Sequence, residues 1–312
     1  MTRRAPYGLG MTHEQDSRAG LAYGVGVYLL WGLVPLYFKL LDQVGAFEIV
    51  AHRIVWSVVL LMGLLAALGK FGPLIAAFRN PRILLALTAS AILIATNWLV
   101  YIWAVTHEHI LATSLGYFLN PFVNIALGTV LLRERLRPAT VAAIALAATG
   151  VAILATSALD TLWISLSLAF SFGLYGYVRK VTNVGAIEGL AVETTVLAPF
   201  FLGYLVWVAN TGTPAFGGGD FGIDALLIFS AVITSVPLML FAAAARRLRL
   251  TTLGFIQYIA PSIVFLIGAF VYGEPLNAGQ VICFALIWAA LIVFTIDNVR
   301  QARTRRLAPV AT

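Results

Sequence analysis

The chain has 312 residues, of which 61% are hydrophobic and only 11% charged, with a formal net charge of +7. A soluble domain carries about 45–50% apolar and about 25% charged residues, so a water-soluble globule is excluded, and so is a disordered chain. At roughly 20 residues per membrane helix and about 10 per connection, the length holds about ten spans and no soluble domain.

The apolar runs, in chain order, lie at Ala19–Leu41, Phe47–Gly69, Ile83–Val105, Ile110–Leu132 and Ala139–Thr156 in the first half. They continue at Thr161–Val178, Leu190–Ala209, Ile223–Ala245, Leu253–Tyr272 and Gly279–Asp297. Backbone amides inside lipid must pair within their own segment, so these runs are predicted helices and the fold is all-α. Alternation suited to a membrane barrel is absent. The connections Lys70–Pro81, Arg133–Pro138 and Asn210–Gly222 are rich in breakers. Cys283 is the single cysteine, so no internal disulfide forms, and its apolar run marks it as a packed small hydrophobe.

The basic residues decide the side. Ten helices put both termini together, and that side receives Arg3, Arg4, Arg18, Lys70, Arg79, Arg82, Arg133, Arg135 and Arg137. It also receives Arg179, Lys180, Arg246, Arg247, Arg249, Arg300, Arg303, Arg305 and Arg306. Lys39 alone falls opposite, and Arg53 lies inside the second helix. Positive-inside bias therefore predicts cytoplasmic termini, and it explains the net charge without nucleic acid. The polar stretch before Ala19 and the length of the first helix predict an uncleaved anchor.

The two halves resemble each other. Thr113-Ser114-Leu115-Gly116-Tyr117 matches Thr251-Thr252-Leu253-Gly254-Phe255 at an offset of 138. Pro121, Gly128 and Glu134 match Pro261, Gly268 and Glu274 at 140, and Gly32-Leu33 with Lys39 matches Gly173-Leu174 with Lys180 at 141. Residues 19–156 and 161–297 thus read as two five-helix repeats between a tail at 1–18 and a basic tail at 298–312. Five is odd, so the second repeat enters from the opposite side. Inverted repeats are the plan of secondary transporters, with the substrate held near the midplane; a channel or a lipid-acting membrane enzyme is the alternative.

Polar residues inside lipid are costly and mark function. Arg53 lies about two turns into the second helix, with Glu48 and His52 four apart on a neighbouring face. They form either a packing pair or a cationic seat for an anionic group, with His52 titratable near physiological pH. Tyr117, Asn120, Asn124 and Gly128 share a stripe around Pro121, where proline is expected to kink the helix. Gly254, Gln257 and Pro261, with Tyr258 beside them, repeat the pattern. Both stripes suit a cavity wall, and interhelical packing is the other reading. Asn97, Trp98 and Tyr101 on the third helix are candidates for ligand stacking. Glu193 is a candidate coupling acid or a partner of Arg179 or Lys180, and Glu134 and Glu274 are expected loop anchors. Gly20 and Gly24 offer a small-residue face for close packing or dimerisation. A metal site at His107 and His109 is not expected, and no phosphate loop or hydrolase motif appears, so no cofactor and no catalytic residue is assigned.

His52-Arg53-Ile54-Val55-Trp56, Asn97-Trp98, Ile102-Trp103-Ala104-Val105 and Ser114-Leu115-Gly116-Tyr117-Phe118-Leu119-Asn120-Pro121 resemble the RarD-type permeases. So do Arg247-Leu248-Arg249-Leu250, Gln257-Tyr258 with Pro261, and Tyr272-Gly273-Glu274. These belong to the EamA-like drug/metabolite transporter superfamily. The resemblance implies a ten-helix permease of a bacterial inner membrane with two EamA-type repeats and a small-molecule substrate. Small multidrug members of the superfamily exchange protons on a glutamate in their first helix, and Ala19–Leu41 has no acidic residue. Any proton coupling would then fall to His52, Glu48 or Glu193.

Overall fold

A computed structural model of the chain describes residues 9–107, 109–156, 159–271 and 278–307. It contains α1 (Leu9–Phe38), α2 (Ala46–Ala67), α3 (Phe71–Arg79), α4 (Pro81–Thr106), α5 (Ile110–Val130) and α6 (Pro138–Ala155). After these come α7 (Leu162–Val181), α8 (Ala186–Thr211), α9 (Phe221–Arg247), α10 (Leu250–Gln257), α11 (Ile259–Phe270) and α12 (Ala278–Leu307). Among the described residues there is no strand, and nine helical segments are long and apolar enough to cross a membrane. The 21-residue α5 stands in addition to those nine.

Local chemistry sets the boundaries. Pro81 and Pro138 open α4 and α6, where a missing N–H costs nothing. Asp220 caps α9 by accepting from Gly222 N and Ile223 N. Gly69, at φ +64°, closes α2 while Lys70 N reaches back to Leu65 O at 2.9 Å.

Two segments differ from the sequence expectation. The Lys70–Pro81 connection contains α3, because Leu74 and Ala77 fall on one face and are buried. The ninth expected span, Leu253–Tyr272, divides at Tyr258 into α10 and α11. The cause is Pro261, which cannot donate to Gln257 and crowds that carbonyl. At Pro121, by contrast, α5 runs on unbroken. Glu274 and Glu108 lie outside the described residues.

Most of the larger helix contacts have a counterpart when the halves are exchanged. The α1–α9 contact corresponds to α7–α4, α2–α9 to α8–α4, and α5–α7 to the α10–α11 segment on α1; α2–α8 and α6–α12 map onto themselves. Glycines make the closest of these approaches. A Cβ at Gly32 would lie 2.7 Å from Ile263 Cβ, and one at Gly173 would lie 2.4 Å from Val123 Cγ1. Those are equivalent contacts, since Gly32 and Gly173 are repeat partners and Val123 and Ile263 are 140 residues apart. Gly20 and Gly24 are used within the chain, against Arg247 and Leu248. Outward faces carry large apolar side chains such as Phe200 at 78% and Phe270 at 81% exposure, as a lipid-facing surface requires.

Candidate functional site

The loops at the Lys39 end of the bundle are drawn together by Tyr37, whose hydroxyl donates to Leu226 O at 2.7 Å. Glu48 adds to this by accepting from Ala215 N at 2.9 Å. Two turns in from that end, as the eighth residue of α2, sits Arg53. Its Nε donates to Thr234 Oγ1 of α9 at 2.8 Å. Its guanidinium lies 5.3 Å from the Phe38 ring centre and 5.1 Å from that of Trp98. Tyr37, Tyr101 and Tyr117 are within electrostatic reach of the same charge, and the Tyr101 and Tyr117 rings are 6.0 Å apart. Among the described residues no carboxylate stands within ion-pair distance of Arg53; Glu48 pairs instead with His52 at 3.9 Å. Arg53, Trp98 and Tyr101 are half-buried, and Tyr117 keeps 41% of its surface accessible. The result is a cluster of aromatic side chains from α1, α4 and α5 around one cation, whose one hydrogen bond among the described residues is to Thr234 of α9.

The other sequence candidates fall elsewhere. His52 is buried and packs on Phe216 of the α8–α9 loop, with the tilted ring centres 5.0 Å apart. Asn97 bonds α4 to α7, donating to Leu168 O at 2.9 Å and to Ser171 Oγ at 3.0 Å. The α5 stripe splits. Tyr117 is partly accessible beside Tyr101 and Arg53, while Asn120 and Asn124 are buried and Asn124 Nδ2 donates to Gln257 Oε1 of α10 at 2.8 Å. Tyr258 is buried against α5, its hydroxyl donating to Phe118 O at 3.4 Å. Pro121 O lies where only a glycine fits opposite, at Gly254. Glu134 acts as an anchor: its carboxylate accepts from Leu250 N at 2.7 Å and Thr251 N at 3.0 Å, capping α10 from the other half. A shallow groove beside α3, lined by Gly72, Ile75, Arg79 and Arg82, lies on the outside and takes no part in this cluster.

Rings also fill the interior between α1, α7 and α9. Tyr28 and Trp31 of α1, Phe172 and Tyr175 of α7 and Phe241 of α9 pack with centroids 5.1–6.0 Å apart. Beyond them, towards the opposite end, Arg179 of α7 meets Glu193 of α8 at 3.6 Å, each 1% exposed.

Phe38 and Thr234 were not found from sequence, and neither was the equivalence of the two charged positions. A signal for it exists. Gly45-Ala46-Phe47-Glu48 and Gly185-Ala186-Ile187-Glu188 stand 140 apart and start α2 and α8, which makes Arg53 and Glu193 the eighth residue of each helix. At an offset of 141, Phe38 over Arg53 corresponds to Arg179 beside Glu193.

Residues 18–156 match the EamA-like transporter family. The chain is similar to Protein RarD of Streptomyces exfoliatus, 43% identical over 95% of this chain and 94% of that one. Its identity to Protein RarD of Escherichia coli K12 is 41%, over 94% and 99%. An uncharacterized transporter of Vibrio cholerae is 40% identical over 95% and 98%. A crystal structure at 18% identity covers 89% of this chain and 98% of its own with a TM-score of 0.69, a likeness of fold. With relatives this similar along nearly its whole length, this multi-pass membrane protein belongs to the EamA-like transporter family, in its RarD-type group.

Proposed function

We propose that the protein is a secondary carrier that moves a small organic anion across a bacterial plasma membrane by alternating access. The observation that carries this reading is Arg53. A guanidinium held two turns inside the bundle, on one hydroxyl and two aromatic faces and with no carboxylate partner among the described residues, is a cation awaiting an anion. Arginine suits this role because its planar fork binds carboxylate or phosphate oxygens in pairs. Trp98, Tyr101 and Tyr117 form the wall that would lie along the body of the substrate. Carriers need a pocket open at one end and closed at the other, and the ring layer below Arg53 supports that arrangement.

In this reading α1, α2, α4 to α9, the α10–α11 pair and α12 are ten spans in two inverted five-helix repeats. The exchange of helix contacts between halves and the twin glycine contacts support it. Both termini lie in the cytoplasm, and the Arg53 pocket opens to the periplasm. Reporter fusions after Arg79, Arg135 and Arg247 report cytoplasm, and those near His107 and Gly218 report periplasm; the inverse pattern overturns the orientation. The substrate reading is tested by thermal shift of purified protein with carboxylates and phosphate esters against their neutral amides and alcohols. Anions raise the melting temperature of the wild type and not of Arg53→Ala. Equal stabilisation by the neutral analogues contradicts the anion seat.

A further inference from the structure

Glu193 holds the position in the second repeat that Arg53 holds in the first, with opposite charge and opposite surroundings. Arg53 keeps water-accessible surface, whereas Glu193 and Arg179 are sealed. Three helices converge on the carboxylate. Ser90 of α4 donates to Glu193 Oε1, Arg179 of α7 stands 3.6 Å from that same oxygen, and Glu193 itself belongs to α8. Arg179 Nη2 also donates to Ala186 O at 3.1 Å, so the guanidinium ties the start of α8 to the end of α7. Gly189 makes room for it: a Cβ there would lie 1.9 Å from Arg179 Nη1.

The cluster is closed but incompletely bonded. Glu193 Oε2, Arg179 Nε and Nη1, and Tyr175 Oη are buried without a hydrogen-bond partner. Buried polar groups left in that state favour any rearrangement that satisfies them, and a buried ion pair gives back little beyond its desolvation cost. The charged and titratable groups facing Glu193 are Arg179 and Tyr175, both on α7. Nearby cations are engaged elsewhere: Lys180 donates to Ala245 O and Leu248 O, and Arg246 of α9 to Val184 O. Among the described residues no other cation stands within ion-pair distance of this carboxylate.

We propose that Glu193 is the proton-binding site of the carrier and that its charged form, held by Arg179 and Ser90, locks the end of the bundle opposite Arg53. One proton from water, taken on a carboxylate oxygen, removes the negative charge. Arg179 is then an unpaired buried cation and moves to water, which separates α7 from α8 and opens that end. Loss of the proton re-forms the pair. The proposal rests on the alternating-access reading, and its test separates the two.

In a Cys283→Ala background, Leu87→Cys places a thiol on α4 one turn beyond Ser90, at a position with no accessible surface. Ala76→Cys on the exposed side of α3 is the reactivity control, and Tyr117→Cys reports the Arg53 pocket. A membrane-impermeant thiol reagent is applied to purified protein in lipid nanodiscs between pH 8 and pH 5.5. Relative to the control, Leu87→Cys gains reactivity as pH falls. With Glu193→Gln it is reactive at every pH, by about tenfold or more over wild type at pH 8, the size of a shift from a sealed to a mixed population. The His52–Glu48 pair lies at the other end, and a flat profile in Glu193→Gln assigns the pH response to Glu193 rather than to that pair. Ser90→Ala removes the hydroxyl that holds the carboxylate charged, so reactivity sets in at a higher pH; this variant serves if Glu193→Gln does not assemble. A pH profile at Leu87→Cys that Glu193→Gln or Ser90→Ala leaves unchanged overturns the lock. If Leu87→Cys opens while Tyr117→Cys stays equally reactive, the lock stands and alternation fails.

Discussion

Arg53 and Glu193 are one position seen twice. Each is the eighth residue of a helix that begins Ala-x-Glu after a capping glycine, and each is touched by a residue at the end of the preceding helix, Phe38 in one half and Arg179 in the other. An aromatic neighbour leaves the first charge unneutralised and available. An opposite charge cancels the second and removes it from water. The helix start is shared; the charge it carries and the side chain at the preceding helix end both differ, and the proposed seat and lock rest on that pair of differences.

The largest expected effect breaks that contrast at its open end. Arg53→Ala removes charge-assisted hydrogen bonds worth about 1.5–3 kcal/mol, or roughly 10- to 150-fold in apparent substrate affinity. Membrane abundance stays near normal, since among the described residues the change removes one hydrogen bond, to Thr234. Transport in proteoliposomes against protein level by blot is the measurement. Normal transport contradicts the seat, and collapse of abundance assigns Arg53 to structure.

The next effect tests whether the halves are equivalent in packing. Gly173→Val drives side-chain atoms into Val123 and costs about 1–3 kcal/mol. Val123→Ala in the same chain recovers much of it, and Gly32→Val with Ile263→Ala behaves in parallel. Thermal unfolding in detergent reads both cycles, and a cost confined to one half contradicts the equivalence.

These glycines show how far the sequence was legible. Repeat offsets located Gly32 and Gly173, and hydropathy with charge placed nearly every long helix, because lipid forces helices and penalises charge. The partners Ile263 and Val123 were invisible, since which apolar residue meets a glycine depends on how helices cross. The same limit held at the site. Arg53, Trp98, Tyr101 and Tyr117 were legible as expensive or amphipathic groups in lipid, but Phe38 carries no such mark. Spacing put Asn120 and Asn124 on the stripe with Tyr117. It could not tell that two of the three are buried, Asn124 against Gln257 of α10.

The smallest effect concerns that covered part. Asn124→Leu leaves the Gln257 amide buried without its donor and costs about 1–3 kcal/mol, whereas Asn124→Leu with Gln257→Leu is near neutral. A double variant as unstable as the single one would assign the pair a role beyond mutual satisfaction.

If water reaches the Arg53 cluster from one end alone, as proposed, a thiol placed there labels from one side of the membrane. Tyr117→Cys, with Cys283→Ala, is exposed to a membrane-impermeant thiol reagent in right-side-out and in inverted vesicles at pH 8, with Asn120→Cys and Asn124→Cys as buried comparisons. The account predicts reaction at position 117 in right-side-out vesicles only, and little at 120 or 124 in either. Equal labelling of 117 from both faces would make the structure a channel, and its labelling from the inverted face alone would reverse the open end.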